Sequence, residues 1–130
     1  MVQFSGVLTK MKTEWADPVQ YFLDLENDFL ALNQFIGKTI TWKHDGFECL
    51  ACGLNKKIFR QGMCFECFQT EPQAGEWIFR PELSRAHLDE EDRDLVYEKK
   101  MQLQPHIVYL ALSGGLKVGV TRASQIPTRW

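Results

Sequence analysis

Four cysteines carry the clearest chemistry in this sequence. They fall as Cys49-Leu50-Ala51-Cys52 and Cys64-Phe65-Glu66-Cys67, with eleven residues between the pairs. A Cys-x-x-Cys segment makes a tight turn that aims two sulfurs at one ion. Two such knuckles complete a tetrahedron of thiolates at about 2.3 Å from a zinc ion. Gly53 follows the first pair and Gly62 precedes the second, as suits turns that need positive φ. The same thiols can be read as two disulfides, as a redox-active pair or as a rubredoxin-like iron site. Disulfides suit a secreted chain, and redox chemistry needs no second matching pair. Iron shares the ligands with zinc. Zinc uses all four thiols in a reduced compartment, so Zn(2+) held by Cys49, Cys52, Cys64 and Cys67 is the expected cofactor. A closed four-thiolate site has no open coordination position. Its expected work is folding, not hydrolysis.

The surrounding elements must bring these knuckles together. The predicted class is mainly β (α+β): a small antiparallel sheet or open barrel, an inserted zinc ribbon, one helical segment and a C-terminal β-hairpin. Apolar residues alternate roughly over Val2 to Thr9 and recur over Ile36 to Trp42, which predicts strands. Tyr21 to Leu25 and Phe29 to Leu32 flank Glu26-Asn27-Asp28 as a hairpin. Pro18 interrupts regular structure across residues 14 to 19. The stretch Leu54 to Met63 is long enough for a hairpin tongue. Residues 71 to 88, with Pro72, Gly75 and Pro81, read as irregular, with Trp77, Ile78 and Phe79 available to pack on a neighbour. A helix is expected over 89 to 102. Its acids Asp89 to Asp92 stand in front and Lys99 and Lys100 near the end, complementing the helix dipole. His106 to Leu112 reads as a buried strand, Ser113-Gly114-Gly115 as a turn, and Leu116 to Thr121 as a returning strand. The expected divisions are residues 1–46, an N-terminal sheet region; 47–70, the ribbon; 71–104, a linker with the acidic helix; and 105–130, the terminal hairpin.

Bulk properties narrow the function. The 130 residues are 45% apolar and 25% charged, an ordinary globular mix. The net charge of -2 exerts no global pull on nucleic acid or anionic lipid, so any such contact needs a local patch. No apolar run is long enough to cross a bilayer, and the N-terminus lacks the pattern of a signal peptide. A cytoplasmic location without membrane contact is therefore expected. Lys56, Lys57 and Arg60 lie on the expected tongue, with Phe59, Phe65 and Phe68 close by. Cations beside aromatic rings can grip a nucleic-acid strand by phosphate contact and base stacking. Lys56, Lys57, Phe59 and Arg60 are the candidate nucleic-acid contacts. In the plainer reading the cations decorate a solvated loop and the phenylalanines pack a mini-core.

The terminal hairpin carries a second candidate. Val108-Tyr109-Leu110, a Gly-rich turn, Lys117-Val118-Gly119-Val120-Thr121 and then Arg129 resemble the opening hairpin of the GIY-YIG nuclease superfamily. The resemblance implies that Tyr109, Gly119 and Arg129 converge on a scissile phosphate. A phenol can position or deprotonate the attacking water, and a guanidinium can bind phosphate oxygens bidentately. Lys117 stands where the superfamily often has a second tyrosine, and no residue here matches its metal-binding glutamate. As this chain alone, phosphodiesterase activity is not expected. The plainer reading is a buried hairpin with Tyr109 in its core.

Taken in order, the motifs resemble a bacterial family of uncharacterised proteins, domain of unknown function 2797. The matching pieces are Gly6 to Met11, Asn33 to Lys38, the paired knuckles with Gln61-Gly62-Met63-Cys64, Pro81-Glu82-Leu83, Gln104 to Ala111, Lys117 to Arg122 and Gln125 to Trp130. The resemblance implies the fold and the knuckles but no activity. Members show a second cysteine cluster that this chain lacks, so one metal site is expected. Members also continue past the final Arg-Trp, which implies that this chain is a piece of a longer protein.

Three functional classes follow: a zinc-binding module that contacts nucleic acid, half of a phosphodiesterase site, and a protein-interaction module using exposed aromatics or a sheet edge. His106 reads as a hydrogen-bonded structural residue or a general base. His44 and His87 read as loop residues. Trp15, Trp42, Trp77 and Trp130 are expected mainly in packing.

Overall fold

The computed structural model describes residues 2–129. The chain divides into two compact units, residues 1–68 and 69–130. Three small antiparallel sheets and two short α-helices make up its regular structure among the described residues, and no sheet closes into a barrel. The mainly β, α+β expectation holds in this form.

The first unit is built around a hairpin. Strands β2 (Gln20–Asp24) and β3 (Phe29–Ala31) pair antiparallel, and β1 (Lys12–Glu14) pairs along the other side of β2. The polar turn works as its composition suggests. Leu25 N–H donates to Asp28 O at 2.8 Å, and Glu26 takes a positive φ of 67°. Phe22 stacks on Phe29 at 5.1 Å between ring centroids. Asn33 follows β3 in a 3₁₀ turn and ties it back to β2. Its side chain accepts from Tyr21 N–H at 2.8 Å and donates to Val19 O at 2.9 Å.

Two expected strands do not form. Val2 to Thr9 and Ile36 to Trp42 have no ladder partner among the described residues, and nearly all of their side chains are exposed. Alternation marks a chain able to lie half-buried on a sheet, but a strand also needs a neighbour to pair with. Gly6 instead lies so close to Leu25 that a Cβ there would overlap the Leu25 backbone. The β1 strand, Lys-Thr-Glu, carries no apolar signal and is held by its pairing together with the Lys12–Asp24 ion pair at 2.6 Å.

The second unit begins with four 3₁₀ turns: Pro72–Ala74, Glu76–Ile78, Pro81–Leu83 and Ala86–Leu88. Trp77 is buried, near the Tyr97 ring, and Gly75 lacks the Cβ that would strike its indole. Phe79 is exposed. Trp15 and Trp42 are also exposed, against the packing role expected for them, and Trp130 lies outside the described residues.

The first helix, α1, is Phe65–Thr70, and the second, α2, is Leu95–Gln102. The latter is shorter than the expected 89–102. Asp94 caps it, accepting from Tyr97 N–H at 2.9 Å. Glu98, only 2% exposed, reaches back to the N–H groups of Asp92, Arg93 and Asp94 at 2.9, 3.0 and 2.6 Å. Those amides are thus held in a loop and do not start a helical turn. Asp89 adopts a left-handed φ of 59° and closes the preceding 3₁₀ turn.

The terminal hairpin forms from the expected strands and turn. β6 (His106–Leu112) and β7 (Leu116–Arg122) pair over all seven positions, from His106 opposite Arg122 to Leu112 opposite Leu116. Its burial is the opposite of the expectation. Val108, Leu110, Leu112, Leu116, Val118 and Val120 are all exposed. A two-stranded ladder satisfies only its inner backbone groups and covers neither face. An apolar run therefore reports what a strand can bury, not what lies over it.

Candidate metal centre

The chain enters the site without regular structure and turns at the first knuckle. Cys49 N–H donates to Leu54 O at 3.0 Å and Gly53 N–H to Cys49 O at 2.8 Å, with Gly53 at φ 71°. These bonds close the loop that carries Cys49 and Cys52. The second knuckle leaves a hairpin. β4 (Ile58–Arg60) pairs with β5 (Met63–Cys64) across Gln61-Gly62. Both turn residues have positive φ, 51° and 74°, the backbone of a tight I′-type hairpin turn. Cys64 ends β5, and Cys67 sits on the first turn of α1.

Two contacts bring the knuckles together. Leu50 N–H donates to Gly62 O at 2.8 Å. Cys64 N–H points at Cys49 Sγ at 3.3 Å. Gly62 also leaves the space that the Leu50 side chain fills.

The four ligand atoms of Cys49, Cys52, Cys64 and Cys67 lie within 4.8 Å of one another. Sulfurs at tetrahedral corners around zinc are about 3.8 Å apart, given Zn–S near 2.3 Å. The sulfurs therefore need to close by no more than about 1 Å to hold an ion. All four thiols are free. Cys49 and Cys64 are buried, Cys67 is half-buried and Cys52 is exposed.

The electrostatics are unequal around the cluster. Backbone N–H groups of Cys52 and Cys64 lower the Cys49 thiol to about 6. Burial, followed by the neighbouring cysteines, pushes Cys67 up to about 12. One sulfur is thus ready as thiolate near neutral pH, and another gives up its proton readily only to a bound cation.

The candidate nucleic-acid residues do not share one surface role. Lys56 and Lys57 precede β4 instead of lying on the hairpin, while Phe59 and Arg60 are on β4. Lys56 is ion-paired with Glu66, whose carboxylate also lies 3.9 Å from Cys64 Sγ. That pairing raises the Lys56 pKa and lowers that of Glu66. Phe59 packs edge-on against Phe65 and Phe68 at 5.1 and 5.2 Å, with Arg60 over its ring at 5.3 Å. Glu66 is the residue that motif reading missed. It stands inside the second knuckle, ten residues from Lys56, a separation that no helix or strand period relates.

The hairpin candidates are brought together in part. Tyr109 and Gly119 are direct partners across β6–β7, and a Cβ on Gly119 would fall inside the Tyr109 ring. Arg129 lies beyond the hairpin, exposed, its backbone N–H donating to Gln125 O at 2.9 Å. His106 Nδ1 is 2.7 Å from Gln104 O, and its side chain is exposed. His44 is edge-on to Phe47. No described helix is long and apolar enough to cross a membrane.

Compared with known proteins, the chain matches one family model, described as "Protein of unknown function (DUF2797)", over residues 37–130. That match takes in both knuckles, α2 and the terminal hairpin. No curated protein and no solved structure matches.

Proposed function

This chain belongs to the DUF2797 family of proteins of unknown function, and we propose that it is a zinc-binding protein whose metal organises the segment from Cys49 to Phe68. One observation carries the reading: four free thiols from two knuckles gathered within 4.8 Å. An all-sulfur donor set with soft thiolates suits zinc over the hard cations. With four protein ligands the ion has no open position, so its role is structural. Elemental analysis of the purified protein is expected to give one zinc per chain. Iron in its place, or no metal with the thiols oxidised in pairs, would overturn the assignment.

A second reading is that the hairpin beside the metal touches nucleic acid. Its support is the exposed Arg60 guanidinium over the exposed Phe59 ring, with Lys57 exposed nearby. Lys56 is committed to Glu66 and contributes less. Reversing charge with Lys57→Glu and Arg60→Glu is expected to weaken single-strand binding and flatten its salt dependence by about one unit of log–log slope for each phosphate no longer neutralised. Binding that is unchanged in both variants removes this reading.

A further inference from the structure

We infer that one face of the terminal hairpin is a self-association surface, which packs against the same face of a second copy of this chain. Side chains alternate across an antiparallel pair, so the register sorts them into two faces. Val108, Leu110 and Leu112 stand opposite Val120, Val118 and Leu116, in three cross-strand rows on one face. Every one of these residues is aliphatic, and their exposures run from 61% to 86%. The other face carries Ile107, Tyr109, Ala111, Lys117, Gly119 and Thr121. There Thr121 is buried at 4% exposure and Ile107 falls to 38%. Cover is thus one-sided, and the side with the three aliphatic rows is the bare one.

Size and chemistry point to the occupant. At these exposures the six residues present on the order of 700 Å² per copy, close to the ~800 Å² that each partner gives to a standard interface. The largest apolar patch on a typical monomer is only about 300–600 Å². The three rows hold no charged or hydrogen-bonding side chain, and the face becomes polar only in its end row, His106–Arg122. A partner must match an aliphatic, twisted, strand-period surface that is polar at one end only, and an identical hairpin does so. A two-fold axis lying in the interface sets the central Leu110–Val118 row of one copy over that of the other, the self-complementary arrangement of an isologous dimer. Two such sheets stack about 10 Å apart with their aliphatic faces interdigitated. The net charge of -2 per chain leaves little repulsion to overcome.

Sedimentation equilibrium on the metal-loaded full chain over a range of concentrations tests this. A monomer–dimer equilibrium is expected. Val118→Lys would bury two like charges at the centre of the dimer and should raise its Kd by about 100-fold or more. A triple variant, Val108→Thr/Val118→Thr/Val120→Thr, keeps branched side chains that favour strands while making the face polar. It should also dissociate, with an unchanged far-UV circular dichroism spectrum. The triple variant decides the question if Val118→Lys fails to fold. A monomer at every concentration, or a dimer indifferent to the triple variant, would overturn the inference.

Discussion

The two units face the same shortage of core and meet it with different chemistry. In the first, the buried apolar side chains among the described residues are Leu23, Leu25, Cys49 and Cys64, so half of them are thiols of the cysteine cluster. In the second, Ala74, Trp77 and Ala86 are buried beside a carboxylate, Glu98, that gathers three backbone amides. On the function proposed above, the first unit would borrow stability from an ion outside the chain. The second satisfies its own loop from within and leaves its longest hairpin bare on one face. Small segments that cannot bury enough apolar surface need such staples. The contrast shows that a few polar or sulfur atoms, placed among backbone donors, can stand in for a hydrophobic layer.

The largest effect expected is on the first unit. Structural zinc contributes about 10–16 kcal/mol of apparent binding energy that is also folding energy, comparable to the ~5–15 kcal/mol stability of a whole domain. Chelation, or Cys64→Ser, should therefore melt the segment from Cys49 to Phe68 while β6–β7 keeps its ladder. Amide hydrogen exchange mapped by residue reads both regions at once. Acid acts in the same direction. In the metal-free protein the Cys49 thiol, held down to about 6 by backbone N–H donors, is protonated below that pH, and competition with protons weakens metal binding on the acidic side. Loss of protection at both hairpins together would erase the distinction between the units.

A smaller effect is expected at Glu98. Replacement by alanine strands the part-buried N–H groups of Asp92, Arg93 and Asp94, and each such loss costs about 1–3 kcal/mol where burial is full. Water entering the vacated space recovers part of this, leaving on the order of 3 kcal/mol. Urea unfolding should show that loss for Glu98→Ala and a smaller one for Glu98→Gln, whose amide oxygen still accepts. Metal content should be unchanged in both. A near-neutral Glu98→Ala would mean that the clasp is not what holds the second unit.

Below this comes Gly119. A methyl group there meets the Tyr109 ring across the ladder, and forcing the ring aside costs about 1–3 kcal/mol. Gly119→Ala should lower the melting temperature without changing metal content. Tyr109→Ala should relieve the cost in the double variant, since the nearest atoms that the methyl group meets are those of the Tyr109 ring.

What could be read in advance divides along the same line. Which thiols gather needed only residue type and spacing, so the cluster of Cys49, Cys52, Cys64 and Cys67 was legible, as were the turns at Gly53 and Gly62. The β2–β3 and β6–β7 hairpins were legible from apolar runs on either side of turn residues. Strand pairing elsewhere was not, because Val2 to Thr9 alternates yet finds no neighbour, while Lys12–Glu14 does not alternate yet pairs. The start of α2 was hidden for a different reason. Four acids in a row looked like a helix front, but the decisive acceptor was Glu98, inside the helix and pointing backward. Burial of the terminal hairpin was illegible because it depends on what lies above the sheet and not on the strands.

The smallest effect expected is at Lys56. Its ammonium pairs with Glu66, which approaches Cys64 Sγ, so the pair borders the cysteine cluster without belonging to it. Buried outer-shell partners of a metal site commonly cost 10–100-fold in affinity when removed. This pair is open to solvent, with side-chain exposures of 41% and 72%, and solvent screens most of its attraction. Lys56→Met keeps the length of the stem and removes the charge. Competition against a zinc chelator should then show an affinity change below about tenfold. A larger loss would mean that the cation balances the negative charge of four thiolates around a divalent ion. Charge, in addition to the knuckle turns, would then be part of what holds the first unit together.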